Sequence, residues 1–178
     1  MAKIIAFAGS NSSTSVNYQL VKHTVGLIEG HETQLLNMAN FPFPMYSEDL
    51  EKEKGYSNSL IELRDDIKDS VGLILSVNEH NGNPSAYLKN VLDWLSRVER
   101  SFLDGTKVLL MSASPGKRGG IGAVGVVEKM LPRMGGEIVA TFSLPGFYNN
   151  YEPGAGIKDA ELNKMHQAAL ETFLSALG

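Results

Sequence analysis

The feature that most constrains this chain is a series of short, continuously apolar runs separated by helical patterns. Four runs have strand length: Lys3–Ala8, Val71–Val77, Lys107–Ser112 and Glu137–Phe142, with a weaker fifth at Thr33–Asn37. Stretches such as IIAFA, VGLILSV and VLLM do not alternate between apolar and polar residues, as expected of strands covered on both faces. Helical patterns fill the intervals at Asn17–Glu29, Asn58–Asp69, Ser85–Glu99, Ile121–Met134 and Asp159–Leu177. In the third of these, Leu88, Val91, Leu92 and Leu95 form one stripe, with Lys89, Asp93 and Arg97 opposite. Pro132 should distort the fourth helix near its end, before Gly135–Gly136. The last helix should start at an Asp159 cap and bury Leu162, Met165, Ala169, Leu170, Phe173 and Leu177.

Strictly alternating strands and helices imply an α/β fold: one parallel sheet, helices on both faces and right-handed crossovers. The 178 residues show no compositional break, so residues 1–178 are expected to form a single domain. There is no cysteine, which removes disulfides, thiolate catalysis and zinc–thiolate sites. A net charge of −4 argues against broad nucleic-acid or anionic-membrane binding. The apolar run before Gly9 is too short for a signal core or a membrane span, so a cytoplasmic location is expected.

In such a sheet ligands bind beyond the carboxyl ends of the strands, so the loop after each strand carries the functional information. After the first strand comes Gly9-Ser10-Asn11-Ser12-Ser13-Thr14-Ser15-Val16-Asn17, crowded with hydroxyls and running into a helix. A helix N-terminus offers unpaired N–H groups and a positive dipole end, and hydroxyls add donors for a phosphate. A simple helix cap by Ser15 or Asn17 also fits this loop. Neither the Walker pattern nor the dinucleotide glycine fingerprint is present. Without interior glycine, the loop suits a terminal monophosphate better than a pyrophosphate.

After the third strand comes Asn78-Glu79-His80-Asn81-Gly82-Asn83-Pro84, dense in hydrogen-bonding side chains. Its Glu-His pair has no further ligand at metal-binding spacing, so no metal is assigned. His23, His31 and His166 read as surface or structural residues. After the fourth strand comes Ser112-Ala113-Ser114-Pro115-Gly116-Lys117-Arg118-Gly119-Gly120. Its glycines serve either as turn residues or as room for a flat ring to approach the backbone. The three loops fall at one end of one sheet.

At these residues the chain resembles the NAD(P)H-dependent FMN reductase family, flavodoxin-like proteins that include quinone, azo-dye and chromate reductases. The family's first-loop pattern G-S-x-R-x-x-S-x-N aligns with Gly9, Ser10, Ser12, Ser15 and Asn17. Its P-E-Y-N loop and following helix align with Asn78-Glu79-His80-Asn81, Leu88-Lys89-Asn90 and Asp93-Trp94. Its S-P-G…G-G loop aligns with Ser114-Pro115-Gly116 and Gly119-Gly120, and Phe43–Tyr46 with Glu48–Leu50 matches the loop after the second strand.

The resemblance implies a three-layer, five-stranded parallel sheet of order 2-1-3-4-5. It implies bound FMN, with Ser10, Ser12, Ser15, Val16 and Asn17 at the phosphate. Asn78, Glu79, His80 and Asn81 would line the ring, with Ser114, Pro115, Gly116, Gly119 and Gly120 at its pyrimidine edge. The implied activity is reduction of a small oxidised acceptor (a quinone, free flavin or azo compound) by NADPH or NADH, in a homodimer or homotetramer, with no side chain acting as acid, base or nucleophile. Three positions depart from the pattern: Ser12 replaces the family Arg, Asn78 the Pro and His80 the Tyr. Two other functions remain compatible: an electron carrier of the flavodoxin kind without nicotinamide turnover, and a cofactor-free binding domain on the same fold.

Overall fold

The computed structural model describes residues 2–178. In chain order the elements are β1 (Lys3–Ala8), α1 (Val16–Val25), β2 (Glu32–Leu36), α2 (Glu48–Lys54), α3 (Asn58–Lys68), β3 (Gly72–Ser76), β4 (Glu79–His80), β5 (Asn83–Pro84) and α4 (Ala86–Val98). They continue as β6 (Lys107–Ala113), α5 (Ile121–Met130), β7 (Glu137–Leu144), α6 (Phe147–Asn150), β8 (Tyr151–Glu152), β9 (Gly156–Ile157) and α7 (Ala160–Ala176). The main sheet has the order β2-β1-β3-β6-β7 and is parallel throughout. Counting only its five strands, this is the flavodoxin-like order 2-1-3-4-5. The pairs β4–β5 and β8–β9 are short antiparallel hairpins outside it.

Successive strand residues point to opposite faces, and each face has its own apolar layer. Ile5 and Phe7 of β1, with Leu73, Leu75, Val108 and Leu110, pack on one side against α3, α4 and α5. Ile4, Ala6 and Ala8, with Ile74, Leu109 and Met111, pack on the other against α1 and α7. Every one of these strand side chains is at most 2% exposed, which explains the unbroken apolar runs. Among the described residues, no helix is long and apolar enough to cross a membrane.

The helices form where the periodicity places them, with local differences at their ends. In α4 the side chain of Ser85 caps by accepting the N–H of Leu88 at 3.1 Å, and the whole stripe Leu88, Val91, Leu92, Leu95 is buried. Helix α1 stops at Val25 instead of running to Glu29, because the chain tightens into turns with Leu27 N–H on Thr24 O and Ile28 N–H on Val25 O. Likewise α5 ends at Met130 and continues as a 3₁₀ turn, Leu131–Met134, that contains Pro132 and closes at Gly135 with φ 91°. The expected buried face of α7 needs one correction. Met165 is 53% exposed, and its neighbour His166 is fully buried in its place. The core face runs through His166, Leu170 and Phe173, at the helical spacing i, i+4, i+7.

The segment between β2 and α2 is tied down by the Leu-Lys-Asn…Asp-Trp helix. Asn90 accepts the N–H of Tyr46 at 2.7 Å and donates to Pro44 O at 2.9 Å, while Trp94 Nε1 donates to the same carbonyl at 2.8 Å. Nearby, Glu51 accepts from Tyr56, Arg97 and Tyr46, and these hydrogen bonds hold its carboxyl down to about 2. Asn90→Ala should therefore loosen residues 43–46 while α4 stays helical. Faster cleavage there in limited proteolysis, with a loss of about 1–2 kcal/mol in urea unfolding, is the expected result.

Candidate functional site

The loops after β1, β3 and β6 stand side by side, because those strands are neighbours, and strand order reverses between β1 and β3. Several contacts lock the loops together. Gly9 N–H donates to Ser76 O at 2.8 Å, and Ser85 Oγ, already the cap of α4, donates to Gly9 O at 2.8 Å. A Cβ on Gly9 would lie 2.7 Å from Leu88 Cδ2, so the first loop sits directly on α4 and needs glycine there.

Within the first loop the acceptors are used and the donors are spare. Ser10 Oγ accepts the N–H of Ser12 at 3.2 Å, and Ser15 Oγ accepts that of Tyr18 at 3.1 Å, capping α1. Both serines are more than nine-tenths buried. Their hydroxyl hydrogens have no acceptor among the described residues, and the N–H groups of Val16 and Asn17 lie in the unpaired first turn of α1. Ser12 is exposed, and its Oγ accepts the N–H of Thr14 at 3.3 Å. This is an array of neutral donors at a helix N-terminus, suited to an anion.

The side chain of Asn17 is engaged elsewhere. Its Oδ1 accepts from Ser76 Oγ and from the N–H of Ala113, both at 2.8 Å, and its Nδ2 donates to Ala113 O at 3.1 Å. Only 2% exposed, it joins the start of α1 to the ends of β3 and β6. What Asn17 can offer an anion is its backbone N–H.

The second loop is a hairpin. Asn81 (φ 54°) and Gly82 (φ 75°) turn the chain between His80 and Asn83, the left-handed pair of a two-residue β-turn. Glu79 Oε2 accepts the N–H of Ala123 at 2.9 Å, so it caps α5, whose own N-cap residue, Gly120, has no side chain to do so. A Cβ on Gly122 would fall 2.7 Å from that carboxylate oxygen. His80 is exposed and its Nε2 meets Asn78 Nδ2 at 3.2 Å. The Oδ1 of Asn78 is buried and has no partner among the described residues.

In the third loop Gly119 and Gly120 are left-handed, with φ 61° and 81°. A Cβ on Gly119 would meet Pro145 N at 2.9 Å, and one on Gly120 would meet Ser112 Oγ at 2.9 Å. These two glycines are demanded by the fold. Gly116 is different: its φ is ordinary, and the nearest atom to a Cβ there is Ser114 Oγ at 3.7 Å. Ser114 is half-buried, while Pro115 and Gly116 are exposed.

These features fit a phosphorylated flavin: spare donors at α1, an orphaned amide oxygen at Asn78, and an open backbone floor at Gly116. A sequence model describing NADPH-dependent FMN reductases matches residues 2–149. The chain belongs to the NADPH-dependent FMN reductase family.

The chain is similar to a quinone reductase of Escherichia coli K12, 34% identical over 77 residues, which are 43% of this chain and 41% of that protein. The chain thus spans about two fifths of that relative's length. An NAD(P)H-dependent FMN reductase of Pseudomonas aeruginosa is 27% identical over 66% of this chain and 62% of its own. Among solved structures, the flavoenzyme NAD(P)H:(acceptor) oxidoreductase FerB of Paracoccus denitrificans superposes with a TM-score of 0.80 at 23% identity, covering 99% of this chain and 97% of its own. The NADH:FMN oxidoreductase EMOB gives 0.77 at 18% identity, over 100% and 91%. At these identities the two structures establish the shared fold.

Two features of the site escape the sequence. The commitment of the Asn17 amide has no local signal, because its partners lie 59 and 96 positions away. Capping of α5 by Glu79 has none either. The Asn81-Gly82 hairpin does have one, since Asn-Gly is the strongest two-residue turn signal.

Proposed function

We propose that this protein is an FMN-dependent oxidoreductase that takes reducing equivalents from NADPH or NADH and passes them to a small oxidised acceptor, such as a quinone, a free flavin or an azo compound. The observation that carries the proposal is the spare donor array of the first loop, with the open backbone at Gly116 at the same sheet edge, in a chain of this family. Ser10, Ser15 and the N–H groups of Val16 and Asn17 would hold the phosphate, with Ser12 at the rim. Asn78, His80 and Asn81 would flank the ring, with Ser114, Pro115 and Gly116 at its edge. Glu79, Gly119 and Gly120 would serve by holding the second and third loops in shape. When bound, FMN supplies the hydride-transfer chemistry, so no side chain is assigned as acid, base or nucleophile. The chain's work is to bind the cofactor, orient it and leave one side open. A single FMN-binding domain over residues 1–178, assembled as a homodimer or homotetramer, is part of this reading.

The visible spectrum of the purified protein, with added FMN and without oxygen, tests it. Flavin bands that bleach on adding NADPH or NADH, with steady donor oxidation when a quinone is supplied, are expected. Flavin that binds without bleaching would favour an electron carrier, and failure to take up FMN would overturn the proposal. Ser10→Ala, which leaves the α1 cap intact, should weaken FMN binding by about five- to tenfold, the worth of one hydrogen bond. Unchanged affinity would remove Ser10 from the phosphate site.

A further inference from the structure

Two turns beyond the carboxyl edge of the sheet are fastened back to back. Gly116 O accepts the N–H of Gly119 at 3.4 Å, closing a turn with Lys117 and Arg118 at its centre. The same carbonyl accepts the N–H of Gly146 at 3.0 Å, and Ser114 O accepts that of Phe147 at 3.0 Å. The second turn then carries Tyr148 on α6.

This device presents two cations and one aromatic side chain. Lys117 and Arg118 are both exposed, and neither forms an ion pair among the described residues. Tyr148 is 70% exposed, the one aromatic among the exposed large apolar side chains of the described residues. Its ring stands edge-on to Phe147 at 5.7 Å, and Phe147 is buried and stacked on Tyr151 at 4.7 Å. The aromatic is thus propped outward from a packed base. Lys117 lies one residue, and Tyr148 two, from the hydrogen bond joining the turns, so their Cα atoms are no more than roughly 15 Å apart.

We propose that this pair of turns is the subsite for the adenosine-diphosphate half of the nicotinamide donor, with Lys117 and Arg118 on its phosphates and Tyr148 under its adenine ring. The inference rests on the oxidoreductase reading above and adds the place where the donor's non-reacting half is held. Guanidinium and ammonium groups are matched to phosphate oxygens, and an exposed phenol ring offers a stacking surface to a base. The first loop holds no basic residue, so the cationic charge at this edge comes from the third loop. Because Gly119 cannot take a side chain and Gly146 and Phe147 anchor the loop, the two cations are presented on a stiff turn, and little ordering remains to be done on binding.

The test compares the wild type with a K117A/R118A double variant and with Tyr148→Ala, all FMN-loaded. The donors are NADPH, NADH and N-benzyl-1,4-dihydronicotinamide, which lacks the nucleotide half. Each variant should raise KM for NADPH by about tenfold, as expected for losing one or two exposed polar or stacking contacts, with kcat and FMN content little changed. Turnover of the benzyl donor should stay at the wild-type level. Calorimetry with ADP-ribose and with its 2′-phosphate reads the same subsite without turnover. Both should bind the wild type and lose affinity in the variants, and tighter binding of the 2′-phosphate would identify NADPH as the preferred donor. Wild-type KM values in both variants, an equal loss with the benzyl donor, or no binding of either ADP-ribose would overturn the subsite. If the wild type takes up no flavin, the oxidoreductase reading fails, while the ADP-ribose measurement still decides the subsite.

Discussion

Asn17→Ala is expected to lower the unfolding free energy by about 3 kcal/mol, a large share of the stability of a protein this size. The substitution removes three hydrogen bonds at once and leaves the N–H and C=O of Ala113 facing a space where their partner stood. A lost bond costs about 1 kcal/mol, and a buried group left unpaired costs more. Since the same amide fastens the start of α1 to the ends of β3 and β6, FMN binding should weaken along with folding. Urea unfolding at neutral pH measures the first effect, and flavin retention on a desalting column the second. A destabilisation below 1 kcal/mol would mean that Asn17 is not the brace the structure shows.

The second large effect is a loss of stability in mild acid centred on His166. Its Nε2 lies 2.8 Å from Thr24 Oγ1, and Thr24 already donates its one hydroxyl hydrogen to Leu20 O at 2.8 Å. His166 must then donate through Nε2–H, which leaves Nδ1 buried and without a partner among the described residues. Protonating Nδ1 would create a buried cation, so burial, with a smaller contribution from nearby His23, pushes the imidazole down from 6.5 to about 4. The unfolded chain binds this proton near pH 6.5, whereas the folded chain does not until about pH 4. The associated stability is complete above pH 6.5 and disappears as the pH falls from there towards 4. Its full size is about 3 kcal/mol. Urea midpoints of the wild type should drop across that window more steeply than those of His166→Gln. Parallel pH profiles for the two proteins would remove His166 as the cause.

The fold was legible because its determinants are periodic and local. Strands buried on both faces leave unbroken apolar runs, and the ends of all five main strands fall within two residues of the expected runs, the largest difference being β7, which continues to Leu144. The order of the sheet came from the family resemblance, since periodicity says nothing about which strands are neighbours. Within the site, the three loops were legible as polar or glycine-rich segments after strands, while the division of labour among their residues was not. Asn17, Glu79, Gly119 and Gly120 all look like ligand-binding residues in the sequence, yet each has a structural partner far along the chain. His166 shows the same limit in the core. A histidine beside a methionine on α7 reads as the polar neighbour, and only the position of Thr24 on α1 makes it the buried one.

The last helix has a consequence for where this protein can be divided. The family match ends at residue 149, but α7 lies wholly beyond it. Phe173 of that helix fits so closely over β3 that a Cβ on Gly72 would stand 2.8 Å from its ring, and Leu170 and His166 continue the same layer. The stretch recognisable by descent is therefore shorter than the stretch that folds. A chain trimmed to the inherited signature would keep every proposed flavin contact and lose one of the two helices, α1 and α7, that cover that side of its central strands.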